Sequence, residues 1–293
     1  MTHKSGYVNI IGNPNVGKST LMNELVGEKI SIITSKSQTT RHRILGIVNG
    51  DNFQIVFSDT PGALKPASKL QQAMLNFSKS AFEDADVLLY VTDIYETLDK
   101  NKEFLKKVKN AKVPVLVLIN KIDLSENEKL NNLIKIWQNE LPNAEIYAIS
   151  ALKSFNIETI FNRVLELLPN GPAYFPKDQL TDKTERFFVE EIIREKILIN
   201  YKKEIPYAVE ILVEEFKETN DIIRIRTIIF VERESQKGII IGHQGSALKR
   251  VGSQARKDIE KFFNKKVFIE IYVKVNKDWR NKENTLKRFG YNL

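Results

Sequence analysis

The sequence contains no cysteine, which excludes disulfide bridges, cysteine-ligated metals and thiol catalysis. Histidine is also scarce, with three in 293 residues, and none pairs with His243 at metal-ligand spacing. No run of 18 or more apolar residues occurs, so we expect no membrane-spanning helix. The opening residues MTHKSGYVNI lack the apolar stretch of a signal peptide. At 42% hydrophobic residues, the chain is expected to bury sizeable cores in two domains.

Negative charge is missing mainly from the C-terminal end. Residues Lys237–Leu293 contain 14 of the 45 Lys and Arg residues but only 5 of the 37 Asp and Glu residues. The rest of the chain, Met1–Gln236, has 31 basic and 32 acidic residues. The whole net charge of +8 therefore comes from the last fifth of the chain. A patch of one sign attracts polyanions such as nucleic acid or an acidic membrane, although a solvated basic face would show the same excess.

The most informative motif present is GNPNVGKST, which matches the phosphate-binding loop G-x-x-x-x-G-K-[S/T]. Glycines let backbone N–H groups approach phosphate oxygens, Lys18 would reach the β- and γ-phosphates, and the Ser19 hydroxyl would ligate Mg²⁺. An apolar strand precedes the loop and a helix follows it, as phosphate binding at a helix N-terminus requires. The predicted loop residues are Gly12, Asn13, Pro14, Asn15, Val16, Gly17, Lys18, Ser19 and Thr20.

Three further motifs follow in order, each at the end of an apolar strand. In the first, Asp59-Thr60-Pro61-Gly62, the carboxylate would hold Mg²⁺ through water and the Gly62 N–H would face the γ-phosphate. In the second, Asn120-Lys121-Ile122-Asp123, the Asp123 carboxylate would accept hydrogen bonds from guanine N1–H and N2–H₂, which adenine lacks. In the third, Ser150-Ala151, a backbone N–H would meet guanine O6. Taken singly, the first motif is also compatible with a turn, the second with a capped strand end and the third with a helix start.

Strand and helix patterns alternate up to Leu168 and predict a doubly wound α/β domain over residues 1–168. The predicted parallel strands are Tyr7–Ile11, Gln54–Ser58, Val87–Thr92, Val113–Ile119 and Ile146–Ile149. The predicted helices are Ser19–Val26, Leu70–Phe82, Lys100–Lys109, Asn127–Glu140 and Ile157–Leu168. Ligands of such a domain bind at the C-terminal ends of the strands.

A stretch rich in proline and glycine, PNGPAYFPKD, predicts a linker over residues 169–181. The pattern beyond it predicts a smaller α+β domain over residues 182–276, followed by a basic tail over 277–293. Its elements are a helix over Thr184–Tyr201, strands over Tyr207–Phe216 and Ile222–Glu232, helices over Gln236–Ile241 and Ser246–Phe263, and a strand over Val267–Val275. The tail residues leave open whether the tail extends a nucleic-acid surface, packs on the domain or touches acidic lipid.

The ordered motifs of the first domain resemble those of translation-factor-class GTPases. The resemblance implies switch segments at Lys29–Arg43 and Gly62–Lys79, and a switch threonine that closes on Mg²⁺. We assign this role to Thr40, with Thr39 as the alternative, in the sequence Thr39-Thr40-Arg41; Mg²⁺ would then be held by Ser19, Thr40 and Asp59. Ala63 and Leu64 stand where many GTPases carry the glutamine that orients the attacking water.

In some relatives without that glutamine, a loop asparagine holds K⁺ in place of an arginine finger. Asn15 occupies this position, so the resemblance implies K⁺ stimulation, and ordinary loop hydrogen bonding is the alternative. Arg41 and Arg43 remain open as catalytic arginines.

The motif Gly242-His243-Gln244-Gly245 lies between two helices inside the basic region. A G-x-x-G turn lets a nucleic-acid backbone pack against protein backbone, and the order of elements resembles a type II KH domain, a single-stranded RNA-binding module. The predicted RNA-binding residues are Ile241, Gly242, His243, Gln244, Gly245, Lys249 and Arg250. We expect Phe262, Phe263 and Phe268 to be core residues.

In its domain order the chain is similar to the Era-like subfamily of bacterial GTPases. This resemblance implies a cytoplasmic GTPase that binds 16S ribosomal RNA near its 3′ end and assists maturation of the 30S subunit. We expect the protein to be a monomer. It also implies partial peripheral contact with the acidic inner face of the membrane. The alternatives are an RNA-binding module with an idle guanine nucleotide and another ribosome-assembly or tRNA-modification GTPase.

Overall fold

The computed structural model describes residues 3–63 and 65–291, without the side chain of Asp99. By their internal contacts the residues form two compact units. The first is Met1–Pro66 with Met74–Asp182, and the second is Ala67–Ala73 with Lys183–Leu293. Each unit has its own sheet, with six strands in the first and three in the second.

The described residues of the N-terminal part alternate between strands and helices, as the sequence predicts. The strands are β1 (Lys4–Gly12), β2 (Ile44–Gly50), β3 (Phe53–Asp59), β4 (Val87–Asp93), β5 (Val115–Asn120) and β6 (Glu145–Ala148). The helices are α1 (Lys18–Val26), α2 (Lys69–Ser80), α3 (Lys102–Lys109), α4 (Asn127–Glu140) and α5 (Ile157–Leu167). Short 3₁₀ turns at Leu98–Asn101, Ile122–Leu124 and Ala151–Lys153 complete this part.

The strand order is β2-β3-β1-β4-β5-β6, and all neighbours are parallel except β2 and β3. Every residue of β4 is buried, as expected for a strand covered by helices on both faces. The C-terminal ends of β1, β3, β4 and β5 therefore meet at one edge of the sheet, where the predicted motifs begin. Sequence patterning missed β2, because its glycines and Asn49 interrupt the apolar run of this edge strand.

The predicted linker is hydrogen-bonded to the first unit along much of its length. Ser5 N donates to Pro169 O (3.1 Å), and the Gln54 side chain accepts from the backbone N–H groups of Tyr174 (2.6 Å) and Phe175 (2.9 Å). Near its end, Ile47 N donates to Leu180 O (2.8 Å) on the free edge of β2. The segment thus covers an exposed sheet edge that would otherwise offer unpaired backbone groups.

The described residues of the second unit follow the predicted order of helix, strand, strand, helix, helix and strand, with a short helix added before the first strand and another after the last. Its elements are α6 (Glu185–Asn200), α7 (Ile205–Ala208), β7 (Glu210–Glu218), β8 (Ile222–Val231), α8 (Glu234–Ile241), α9 (Ser246–Phe263), β9 (Lys266–Val275) and α10 (Glu283–Arg288). β7 and β8 are antiparallel, whereas β8 and β9 are parallel. The predicted strand over Tyr207–Phe216 begins too early, because Tyr207 and Ala208 belong to the helical turn α7, which has Pro206 near its start.

The described part of the tail packs on the second unit. Trp279, Leu286 and Tyr291 are fully buried. The Trp279 Nε1 donates to Ala208 O (3.0 Å), and the Tyr291 hydroxyl donates to Glu210 Oε2 (2.9 Å). Of the three possibilities left open by the sequence, packing on the domain is therefore the one that the structure contains. Among the described residues, no helix combines the length and apolar character needed to cross a membrane.

Candidate functional site

The phosphate loop joins the end of β1 to the start of α1. The Lys18 side chain is buried, and its Nζ donates to the carbonyl oxygens of Gly12 (3.2 Å) and Asn13 (2.8 Å). Burial lowers the pKa of Lys18 to about 8, against the opposing effect of the Asp59 and Glu96 carboxylates. A phosphate group at the loop would also favour the charged lysine, so lysine and phosphate would stabilise each other.

Two glycines allow the loop to pack closely against other motifs. A Cβ at Gly17, whose φ is 96°, would lie 2.2 Å from the Asn120 Nδ2. A Cβ at Gly62 would lie 2.7 Å from both the N and Cα atoms of Pro14. Because real side-chain atoms do not approach this closely, glycine is required at both positions. The loop therefore contacts the motif after β5 on one side and the motif after β3 on the other.

The hydroxyls of Ser19 and Thr40 meet the carboxylate of Asp59. The Ser19 Oγ lies 2.6 Å from Asp59 Oδ2 and 2.8 Å from Thr40 Oγ1, and Thr40 Oγ1 lies 3.3 Å from Asp59 Oδ2. Thr39 is directed elsewhere, with its hydroxyl 2.7 Å from Thr34 Oγ1 and 2.6 Å from Lys36 O. Of the two adjacent threonines, Thr40 is thus the one that the structure brings to the predicted metal ligands.

These three side chains form a donor set suited to Mg²⁺, which binds hard oxygen ligands. The Asp59 Oδ1 is buried and has no hydrogen-bond partner among the described residues. Burial raises the pKa of the Asp59 carboxyl, and the Ser19 hydrogen bond and the Lys18 charge oppose that rise. A cation, or its bound water, would supply the partner that this buried oxygen lacks.

The predicted base-recognition residues also come together. The Ser150 hydroxyl donates to Asp123 Oδ1 (2.6 Å), which orients a carboxylate that is otherwise exposed. The Asn120 side chain donates to Val16 O (2.8 Å) and accepts from Ala151 N (3.0 Å), so it connects the phosphate loop to the 3₁₀ turn after β6. The predicted contact between guanine O6 and a backbone N–H of Ser150-Ala151 stays a prediction.

Lys121 supports the loop from the same side. Its Nζ donates to Asn15 O (2.6 Å) and forms an ion pair with Asp93 Oδ2 (2.5 Å) at the end of β4. A cavity of about 380 Å³ lies between the loop and the first switch segment, with Lys18, Ser19 and Thr20 among its lining residues. This volume is within the range typical of small-molecule sites.

The remaining residues of the DTPG motif shape the turn after β3. The Thr60 hydroxyl donates to Ile10 O (2.8 Å), and Pro61 O accepts from the Ser78 hydroxyl (2.6 Å). Both contacts are buried and tie the start of the second switch segment to β1 and α2. Thr60 and Pro61 therefore position Gly62 rather than present side chains to the cavity.

In the second unit the GHQG loop connects α8 to α9. Gly242, Gln244 and Gly245 all have positive φ, at 72°, 50° and 75°. His243 and Gln244 are exposed at the tip, as are Lys249 and Arg250 in the first turns of α9. Ile241 is half-buried against the core. The loop thus presents a bend with polar side chains beside two cations, the combination expected for contact with a nucleic-acid backbone.

Sequence reasoning missed the groove between α9 and β9. Its volume is about 310 Å³, and it is lined by Leu248, Lys249, Gly252, Ser253, Arg256, Ile269 and Ile271. The i, i+4, i+8 spacing of Leu248, Gly252 and Arg256 places these three residues on one helix face and was the available signal.

The expectation of a core position was wrong for Phe262 and Phe268, whose exposed fractions are 43% and 47%.

Both parts of the chain match known families. Residues 7–121 match the model described as 50S ribosome-binding GTPase, and residues 204–280 match the KH domain model. The GTPase Era of Staphylococcus epidermidis is 44% identical over 291 residues, which cover 99% of this chain and 97% of that protein. The chain belongs to the Era family of GTPases. GTPase Era of Staphylococcus haemolyticus is similar to the same extent.

Solved Era structures agree over the whole chain. Era in complex with MgGDPNP and nucleotides 1506-1542 of 16S ribosomal RNA has a TM-score of 0.94 at 39% identity and covers 99% of this chain. A variant of Aquifex aeolicus Era bound to GDP·AlF₄⁻ gives the same values. The predicted fold, a P-loop GTPase domain followed by a KH domain, is confirmed, and as a member of the Era family the chain hydrolyses GTP.

The position of the usual catalytic glutamine is buried in this Era-family chain. Ala63 is 4% exposed, and its N–H donates to Gly12 O (3.3 Å). Leu64 lies outside the described residues. A methyl group offers no hydrogen bond to water, so hydrolysis depends on groups other than the side chain of residue 63.

Neither of the two switch arginines is among the residues that line the cavity at the phosphate loop. Arg41 is 1% exposed. Arg43 donates to Asp84 Oδ2 (2.7 Å), Ser58 Oγ (2.7 Å) and Asn9 Oδ1 (3.1 Å). In this arrangement neither guanidinium lines the nucleotide cavity.

Proposed function

We propose that this Era-family GTPase is a GTP-controlled switch that binds 16S ribosomal RNA near its 3′ end and assists maturation of the small ribosomal subunit. The observation that carries the proposal is the full-length similarity to an Era structure in complex with nucleotides 1506-1542 of that RNA. The matched GTPase model names the 50S particle, but it covers only residues 7–121 and therefore leaves out the KH domain.

The second unit supplies the physical basis for RNA binding. The cationic side chains of Lys249 and Arg256 line a groove together with the apolar side chains of Leu248 and Ile271. Such a groove suits single-stranded bases, with the sugar-phosphate backbone lying over the GHQG loop. The concentration of net positive charge in Lys237–Leu293 would add attraction at longer range.

We assign Mg²⁺ to Ser19, Thr40 and Asp59, with Asp59 acting through water. The bound ion would neutralise charge that develops on the β- and γ-phosphates. Thr40 belongs to the first switch segment and Gly62 to the second, so triphosphate binding would hold both segments in place. After hydrolysis, loss of the γ-phosphate would release them.

The nucleotide state is expected to change the affinity for RNA. If the nucleotide shifts the population of the RNA-binding-competent state from 10% to 90%, the equilibrium between the two states must change about 80-fold. This corresponds to roughly 2.6 kcal/mol of coupling between nucleotide and RNA. We would measure binding of a labelled RNA with the 3′-terminal sequence of 16S ribosomal RNA to the full chain, in Mg²⁺ with GDPNP or with GDP. Equal affinity in the two states would contradict the switch, and equal affinity for a scrambled RNA would contradict the choice of RNA.

We also propose that Asn15 holds a K⁺ ion that supplies part of the charge of an arginine finger. The Asn15 side chain is exposed on the loop, and its Nδ2 donates to the carbonyl oxygen of Ser35 (3.3 Å) in the first switch segment. Its amide oxygen and that carbonyl are both suitable ligands for a monovalent cation. The Asn15 backbone is fixed in a left-handed conformation, with φ at 66°.

Hydrolysis is therefore expected to be at least about tenfold faster in KCl than in NaCl, because the cation stabilises charge in the transition state. The Asn15→Ala variant should lose this difference while it keeps its affinity for GDP in KCl. The measurement is multiple-turnover phosphate release at constant ionic strength. If wild type and variant hydrolyse GTP equally fast in both salts, the ion plays no part.

Location and assembly complete the proposal. We infer a cytoplasmic monomer that partly associates with an acidic membrane surface, on the basis of the basic C-terminal region. We also retain the domain limits 1–168 and 182–276, because the segment between them carries no helix or strand of its own.

A further inference from the structure

A buried polar cluster lies behind the phosphate loop, and its carboxylate, Glu96, has no part in the roles described so far. Glu96 follows β4, and its side chain is 3% exposed. Its Oε2 accepts from the Asn13 side chain (3.0 Å), and its Oε1 accepts from Lys100 Nζ (2.6 Å). Asn13 itself is 5% exposed. A carboxylate is thus held in the interior beside a residue of the phosphate loop.

The cluster reaches the second switch segment through Asn101. The Asn101 Nδ2 lies 3.4 Å from Asn13 Oδ1 and 3.4 Å from the carbonyl oxygen of Ala63. Its Oδ1 accepts from Phe104 N (3.3 Å) and so caps α3. One side chain therefore joins the start of α3, the phosphate loop and the residue that replaces the usual catalytic glutamine.

The backbone around Ala63 already contacts the loop. Ala63 N donates to Gly12 O, and Gly62 packs against the backbone of Pro14 without room for a Cβ. The Asn13 carbonyl in turn accepts from Lys18 Nζ. Movement of Asn13 or Ala63 would therefore displace both the lysine and the Gly62 N–H, the two groups expected to meet the γ-phosphate.

Burial of a carboxylate costs desolvation free energy unless hydrogen bonds or ion pairs offset that cost. Among the residues that the structure describes, the Glu96 carboxylate accepts hydrogen bonds from one neutral amide, that of Asn13, and one half-exposed ammonium, that of Lys100, so its burial is energetically costly. A functional demand explains the cost better than stability does, because GTP hydrolysis without the glutamine depends on precise backbone donors.

We propose that Glu96 is a positioning residue for GTP hydrolysis. It fixes Asn13, and through Asn101 it fixes the Ala63 carbonyl, so that the Gly62 N–H and Lys18 keep the geometry that hydrolysis requires. Glu96 contacts neither substrate nor metal in this role. It acts through the phosphate loop and the second switch segment.

The test first compares three variants of the full chain by steady-state GTP hydrolysis, GDP affinity and thermal unfolding. Glu96→Ala is expected to lower kcat about tenfold, equivalent to ~1.4 kcal/mol, with KM and GDP affinity changed less than about threefold. Glu96→Gln keeps an oxygen that accepts from Asn13 and should restore kcat to within about threefold of wild type. Asn101→Ser keeps a side chain that can cap α3, but serine is too short to reach both Asn13 and the Ala63 carbonyl. This variant should therefore lose as much activity as Glu96→Ala.

The double variant Glu96→Ala with Asn101→Ser distinguishes one network from two separate defects. If the residues act as a unit, its kcat should match that of either single variant, whereas independent effects would multiply. Lys109→Ala, which removes an exposed ion pair with Glu140 at the far end of α3, serves as the control and should leave kcat unchanged. The proposal is overturned if kcat is unaffected in Glu96→Ala, or if kcat, GDP affinity and thermal stability all fall together.

Discussion

Replacement of Asp123 by Asn is expected to weaken GTP binding about 10³-fold. Two hydrogen bonds from guanine to a charged acceptor contribute about 1.5–3 kcal/mol each, and the amide of Asn would direct a donor at a donor. The same substitution should strengthen binding of xanthosine triphosphate, because xanthine carries a carbonyl oxygen at C2 that an amide N–H would bind. Competition calorimetry with GTP, ATP and xanthosine triphosphate measures all three affinities.

The gain for xanthosine triphosphate shows that the variant is folded. Ser150→Ala is the matched control, since it removes the 2.6 Å hydrogen bond that orients Asp123 but leaves the carboxylate in place. It should weaken GTP binding about tenfold without a change of base preference. Should wild type bind ATP as tightly as GTP, the assignment of Asp123 to base recognition would be wrong.

The way in which the motifs of the candidate nucleotide site meet was largely predictable, because these motifs are local in sequence and each follows a strand. Once the strands are parallel, their C-terminal ends meet, and Ser19, Asp59 and Asp123 come to one edge without further information. The choice between Thr39 and Thr40 was not predictable in this way. Both threonines lie in a segment without regular structure, where a shift of one residue changes which hydroxyl faces Asp59.

The features that could not be predicted from the sequence depend on contacts between residues far apart in the chain. Asn13 and Glu96 are 83 positions apart, and neither belongs to a periodic pattern that would pair them. The groove between α9 and β9 likewise combines a helix face with a strand, and only the helix half has a recognisable spacing.

The wrong prediction that Phe262 and Phe268 are core residues has a related cause. Both are large apolar residues near the ends of elements, where burial depends on the tertiary environment rather than on sequence period.

The loop of the KH domain allows a test that separates RNA binding from nucleotide chemistry. A substitution at Gly242 would confound it, because a Cβ there would lie 2.6 Å from the Ala247 Cβ at a φ of 72°. His243 and Gln244 are better targets, since both side chains are exposed. Asp also tolerates the left-handed backbone of position 244.

The double substitution His243→Asp with Gln244→Asp is therefore expected to weaken RNA binding about 10²-fold, because like charges placed against phosphates cost several kcal/mol. GTP hydrolysis without RNA should stay at the wild-type rate. The control, His243→Ser with Gln244→Asn, removes the same side chains without adding charge and should bind RNA within about threefold of wild type. Both are measured by binding of the labelled 16S 3′-terminal RNA over a range of salt concentrations, in which the difference between them should shrink as salt screens the added charges. If the acidic variant binds as tightly as wild type at low salt, RNA does not pass over this loop, and the neighbouring groove would have to be approached from another side.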